Sequence, residues 1–127
     1  MRTTLDRTRA GLSLGALRVA VGVGFLAAPV SSTRVLGLDT ATAKRIAFLA
    51  RMTAVRDLVL GAGALASWRD PRALRRWVLA GAVSDLGDAV VITAAMRSDV
   101  AGGIPAVAIT VGALGGAALG GWAAAGR

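Results

Sequence analysis

Arg51, Arg56 and Asp57 lie inside one apolar run of this chain, Asp85 and Asp88 lie inside the next, and Arg18 splits an earlier one. Ionisable side chains within hydrophobic sequence do one of two things. They pair with each other as a clamp that penalises wrong partners and registers, or they mark a proton relay or ligand pathway. Asp85 and Asp88 are three apart and share a helix face with Gly81 and Ser84. Two carboxyls so placed in a low dielectric could divide the work, one charged and one carrying a proton. The composition removes most other chemistry. There is no Cys, hence no disulfide, thiol nucleophile or thiolate metal site. There is no His, the commonest general base and metal ligand, and no Tyr. The expectation is a chain that is not an enzyme and needs no metal or cofactor. Its glycine-rich runs are not phosphate loops, since none follows a strand or ends in Gly-Lys-Ser/Thr.

The elements that must position these residues are apolar and long. The 127 residues make one domain, 55% hydrophobic, with 17 glycines. Four spans are expected, at about 10–28, 46–67, 73–96 and 104–125, each able to cross a bilayer core at about 1.5 Å per residue. Met1–Arg9 is a polar, basic lead. A cleaved signal peptide is the competing reading, but Arg18 interrupts the apolar run and no clean cleavage tripeptide follows. Pro29, Ser31 and Ser32 end the first span. In the connection to Lys44, Asp39 or Thr40 caps the next helix and Val35–Leu38 touches the membrane surface. Trp68–Arg72 reads as a tight interfacial turn in which Pro71 breaks the helix, with Trp68 and Trp77 at headgroup level. Pro105 suits a first helical turn, and Trp122 with Arg127 marks the end of the last span.

The fold class expected is therefore all-α, a four-helix transmembrane bundle in the cell membrane, multi-pass, with the lipid bilayer as its surroundings. Four spans put both ends and the Trp68–Arg72 turn on one side, with Arg2, Arg7, Arg9, Arg69, Arg72, Arg75, Arg76 and Arg127. The other side has Arg34, Lys44, Arg45 and Arg97. That bias places both termini in the cytoplasm. It also accounts for the net charge of +8 without nucleic acid as a partner. A soluble bundle is disfavoured because the first and fourth spans lack a polar face.

Taken alone, the second span is a poor membrane helix. Arg51, Arg56 and Asp57 each cost about 2.5–3.5 kcal/mol near the bilayer centre, while each Leu, Ile, Val or Phe returns only about 0.3–0.6 kcal/mol. It needs a neighbour with complementary charge. Folding it on the third span about Pro71 sets Arg56 opposite Asp85 and Thr53 opposite Asp88. Arg18 comes to a similar depth, about 12 Å in against about 16 Å for the other two at ~1.5 Å per residue. Arg18, Arg56, Asp57, Asp85 and Asp88 form the expected cluster, near neutrality if Arg51 joins. Arg51 sits about 140° around the helix from Arg56, given ~3.6 residues per turn, and could equally snorkel to the other interface. Gly112, Gly116 and Gly120, with Gly11 and Gly15 on the first span, form strips for close helix approach. Packing within the chain is preferred over a homodimer or larger membrane complex.

The pattern Arg51-x4-Arg56-Asp57-x2-Leu60-Gly61, followed after a basic turn by Asp85-x2-Asp88, resembles a family of small actinobacterial four-helix membrane proteins of unknown function, loosely similar to DoxX-like proteins. The resemblance spans about residues 10–125 and implies fold and membrane location only. A DoxX-type redox partnership would lack the thiols and histidines it needs. The function expected is that of an uncharacterised structural or accessory membrane protein. The alternative is a homodimeric, proton-coupled small-solute transporter working through Asp85 and Asp88.

Overall fold

The computed structural model describes residues 2–97 and 103–125. Among the described residues there are helices and turns and no strand. In chain order they are α1 (Arg2–Ala27), α2 (Pro29–Val35), α3 (Thr40–Arg45), α4 (Ala47–Ala66), α5 (Pro71–Arg97) and α6 (Gly103–Ala124).

Four long helices cover the stretches expected to be spans, with α1 starting well before its expected position and α5 slightly before its own. Nothing in Thr3–Arg9 breaks a helix, so α1 runs through the polar lead, where the Thr8 hydroxyl bonds back to the Thr4 carbonyl. Asp70 accepts from the amides of Arg72 and Ala73, so Pro71 opens α5 at a first-turn position and does more than end α4. The connection after α1 is two short helices. Pro29 starts α2, and buried Thr33 satisfies its hydroxyl on the Pro29 carbonyl. Gly37, at φ +93°, makes the turn that a side chain would strain. Asp39 then caps α3 through the amides of Ala41 and Thr42. Arg127, expected to mark the end of the last span, falls outside the described residues.

Packing is pairwise. α1 lies along α4 and α5 lies along α6, while contact between the two pairs is sparser. Small residues set both close approaches. On α1–α4, a Cβ at Gly61 would stand 2.6 Å from the Gly15 carbonyl oxygen, and one at Gly22 would stand 2.9 Å from that of Ala54. On α5–α6, Gly120 lies against Ala82. Of the two pairs' glycine strips, Gly112 is the exception, with nothing within 4 Å. Gly11 reaches across to Leu74 and Val78 of α5. Trp77, expected at headgroup level, instead lays its ring over Gly63 and joins the contact between the pairs. Arg7 lies over the Trp122 ring at 5.5 Å, which puts the start of α1 beside the end of α6.

The distribution of side chains is inverted relative to a water-soluble core. The buried apolar residues are mostly alanines, while large ones point outward, among them Val83 (69% exposed), Val91 (68%) and Met52 (66%). Three helices are long and apolar enough to cross a membrane: Thr3–Ala27, Pro71–Arg97 and Pro105–Ala124. α4 is of comparable length, but its three charges keep it out of that group.

Two outcomes follow from this packing. Gly61→Ala forces a methyl against backbone and is expected to cost about 1–3 kcal/mol, whereas Gly112→Ala enters open space and gains up to about 1 kcal/mol of helix propensity; detergent unfolding titrations compare them. At α3, the Thr42 hydroxyl and amide hold the Asp39 carboxyl below its ordinary value. A lowered folded value means the cap is fully present above the unfolded value of about 3.9 and is lost as pH falls through the folded one. Amide protection at Ala41 and Thr42 should persist down to that range, fall below it, and be absent at all pH in Asp39→Ala.

Candidate functional site

Each long helix except α6 contributes a charged side chain near its middle, and the bundle brings five of them into one chain of contacts. Arg18, from α1, donates through Nη1 to Asp57 Oδ1 on α4 at 2.9 Å and through Nη2 to Asp85 Oδ2 on α5 at 2.5 Å. Arg56, from α4, grips Asp88 of α5 with both terminal nitrogens, at 2.8 and 2.7 Å. Its Nη2 is also 3.6 Å from Asp57 Oδ1. The order is Asp85, Arg18, Asp57, Arg56, Asp88, alternating in sign along its length. Asp57 is the shared member, with one oxygen between two guanidiniums.

The two ends differ in exposure. Arg18, Asp57 and Asp85 side chains are 13–16% exposed, whereas Arg56 and Asp88 are 34% and 36% exposed at the outer edge of α4 and α5. α6 supplies space in place of charge: the Asp85 carboxylate lies directly against Gly116. Gly81 on α5 does the same for the other partner, since a Cβ there would stand 3.0 Å from Arg18 Nε and Nη2. Glycines at 81 and 116 thus form the seat of the Arg18–Asp85 pair. The spacing put Gly81 on the aspartate face and Gly116 on a packing strip, but only the position of α1 reveals what they accommodate.

The pairing differs from the expected register. Arg56 meets Asp88, one helical turn beyond Asp85, and Arg18 takes Asp85. Side chains on a helix tilt toward its N-terminus. On antiparallel α4 and α5, the guanidinium of Arg56 therefore runs down toward the start of α4, while the carboxylate of Asp88 leans up to meet it. Counting Cα positions alone misses this by a turn. Arg51 stands apart: exposed on α4, it reaches only the Leu26 carbonyl at the end of α1, at 3.4 Å. The contacts therefore hold two guanidiniums and three carboxylates, one formal negative charge in excess.

The space beside Arg18, walled by Gly11, Gly15, Trp77 and Gly120, measures about 10 Å³, room for a single water. A larger hollow of about 550 Å³ between α5 and α6, among Leu86, Ala89, Val90, Thr93 and Leu114, has no ladder residue in its wall. No group of three or more metal-ligating side chains is present among the described residues. No known family model, curated protein or solved structure matches this chain.

Arg18 donates a hydrogen bond to each of two carboxylates on different helices. Arg18→Gln strands both and is expected to destabilise the bundle by about 3–5 kcal/mol, the range for removing one side of a buried pair. Arg18→Lys keeps the charge but presents a point donor where a planar fork spans Asp57 and Asp85. It should fall between the two in an unfolding titration in micelles; a Lys variant as stable as the native chain would show that charge alone suffices.

Proposed function

We propose that this chain is a four-helix integral membrane protein of the cell membrane, with α1, α4, α5 and α6 crossing and both termini cytoplasmic, acting in a structural or accessory role. The apolar exterior, the small-residue interior and three span-grade helices support membrane insertion. α4 crosses as the fourth because its charges are matched by α1 and α5, not because it is apolar. The Arg7–Trp122 contact and the approach of Gly11 to Leu74 gather both ends and the α4–α5 turn at one end of the bundle. That end carries the larger share of arginines, which favours the cytoplasmic side.

The observation that carries the role is the closed ladder. Its terminal guanidinium nitrogens are spent on carboxylates, and the space beside it takes one water, where a solute pathway needs an open, wetted site. We read the ladder as a clamp that fixes which helices meet and in what register. Proton-coupled transport by a homodimer is the second reading, and the carboxylate in excess is what favours it.

Asp85→Asn tests both. The clamp expects severalfold less chain in the membrane fraction, and purified native chain in proteoliposomes that passes protons no faster than empty vesicles. Undiminished abundance of Asp85→Asn defeats the clamp, and a proton flux that this variant abolishes assigns the ladder to transport.

A further inference from the structure

We propose that the outer face of α4 docks a second copy of this chain across a twofold axis, with Arg51 of each copy placed against Asp88 of the other. This rests on the membrane reading above. The face is a stripe of Phe48, Met52, Val55 and Val59, 51–66% exposed, at helical spacing. Arg51 borders it on the α1 side, exposed, and the Arg56–Asp88 pair borders it on the α5 side, a third exposed. Charged groups within a membrane segment face a protein interior or water, because hydrocarbon offers them no partner. In a single copy Arg51 has the Leu26 carbonyl at 3.4 Å as its partner, and both borders of the stripe stay about a third exposed or more.

Symmetry supplies the cover. A twofold axis along the membrane normal, passing in front of α4, turns the α1 side of one copy toward the α5 side of the other. Arg51 is then brought to the side where the second copy holds Asp88. Arg51 is about 7.5 Å along α4 from Arg56, at ~1.5 Å per residue, a rise a long arginine side chain spans. Asp88 has capacity for it: a carboxylate offers about four acceptor positions, and Arg56 occupies two.

Charge gives the independent reason for a second copy in particular. One copy's ladder holds three carboxylates and two guanidiniums. One Arg51 from outside brings each ladder to neutrality, and the symmetric exchange does so for both copies at once. The stripe between the charged borders supplies apolar contact, as in other interfaces with an apolar centre and polar rim.

The chain has no cysteine, so single cysteines report proximity directly. Val55→Cys, in the middle of the stripe, should form an oxidised dimer in native membranes, while Val111→Cys, equally apolar and exposed on α6, should not. Adding Arg51→Gln to Val55→Cys should abolish most of the cross-link, and Arg51→Lys should restore much of it. A monomer at Val55→Cys, equal cross-linking at both sites, or a yield indifferent to Arg51→Gln overturns the proposal. Chain recovered from the membrane fraction but monomeric refutes the dimer alone; chain missing from that fraction refutes the membrane reading itself.

Discussion

The guanidinium of Arg18 joins three helices through charge, α1 to both α4 and α5. α1 packs along α4 and α5 along α6, and the apolar contact between the pairs is a small cluster about Ala64, Leu74 and Val78. Arg18 spans that boundary, with Asp57 on its own side and Asp85 across it. Arg56 and Asp88 repeat the crossing at the outer edge. In lipid, helices gain nothing from hiding leucine, because the tails outside are as apolar as the side chains inside. On the proposed membrane reading, what lipid cannot replace between the pairs is the short hydrogen bonds between opposite charges and the glycine seats that let those charges reach each other.

The same constraint explains the composition of the interior. A core of alanine and glycine is poor at burying apolar area, yet it lets backbones close to near contact at Gly61–Gly15 and Gly22–Ala54. Close backbones bring mid-helix side chains within hydrogen-bonding range of three helices at once. Larger residues at 81 or 116 would occupy the volume that the Arg18 guanidinium and the Asp85 carboxylate now fill. Small residues and charges are thus one design, each useless without the other.

Much of this was legible in the chain. The helical class, the apolar runs and the turn at Trp68–Asp70 follow from composition and breakers. The company kept by Arg18, Arg56, Asp57, Asp85 and Asp88 follows from depth and sign. What the one-dimensional pattern lacked was the lateral arrangement. A hairpin drawn from the α4–α5 turn makes those two helices nearest neighbours, whereas α4 lies closest to α1. With α1 beside α4, Arg18 comes within reach of Asp85, and Arg56 meets Asp88 a turn away. Gly112 shows the same gap: its spacing matches Gly116 and Gly120, but periodicity cannot say where two helices part.

A ladder built from three helices has a consequence for assembly. α4 carries Arg51, Arg56 and Asp57 within 20 residues, so on the proposed four-span reading its place in the bilayer depends on partners before and after it in the chain. α1 precedes it and offers Arg18 to Asp57; α5 follows and offers Asp88 to Arg56. Neither alone neutralises α4, because Arg56 has no carboxylate from α1 and Asp57 has only a distant guanidinium from its own helix at 3.6 Å. On the proposed four-span reading, the cost of inserting α4 is offset only when α1 and α5 are both in place. In the proposed clamp role the charges act as a check on completeness of the bundle, a physical reason for keeping expensive residues where leucine would insert more readily.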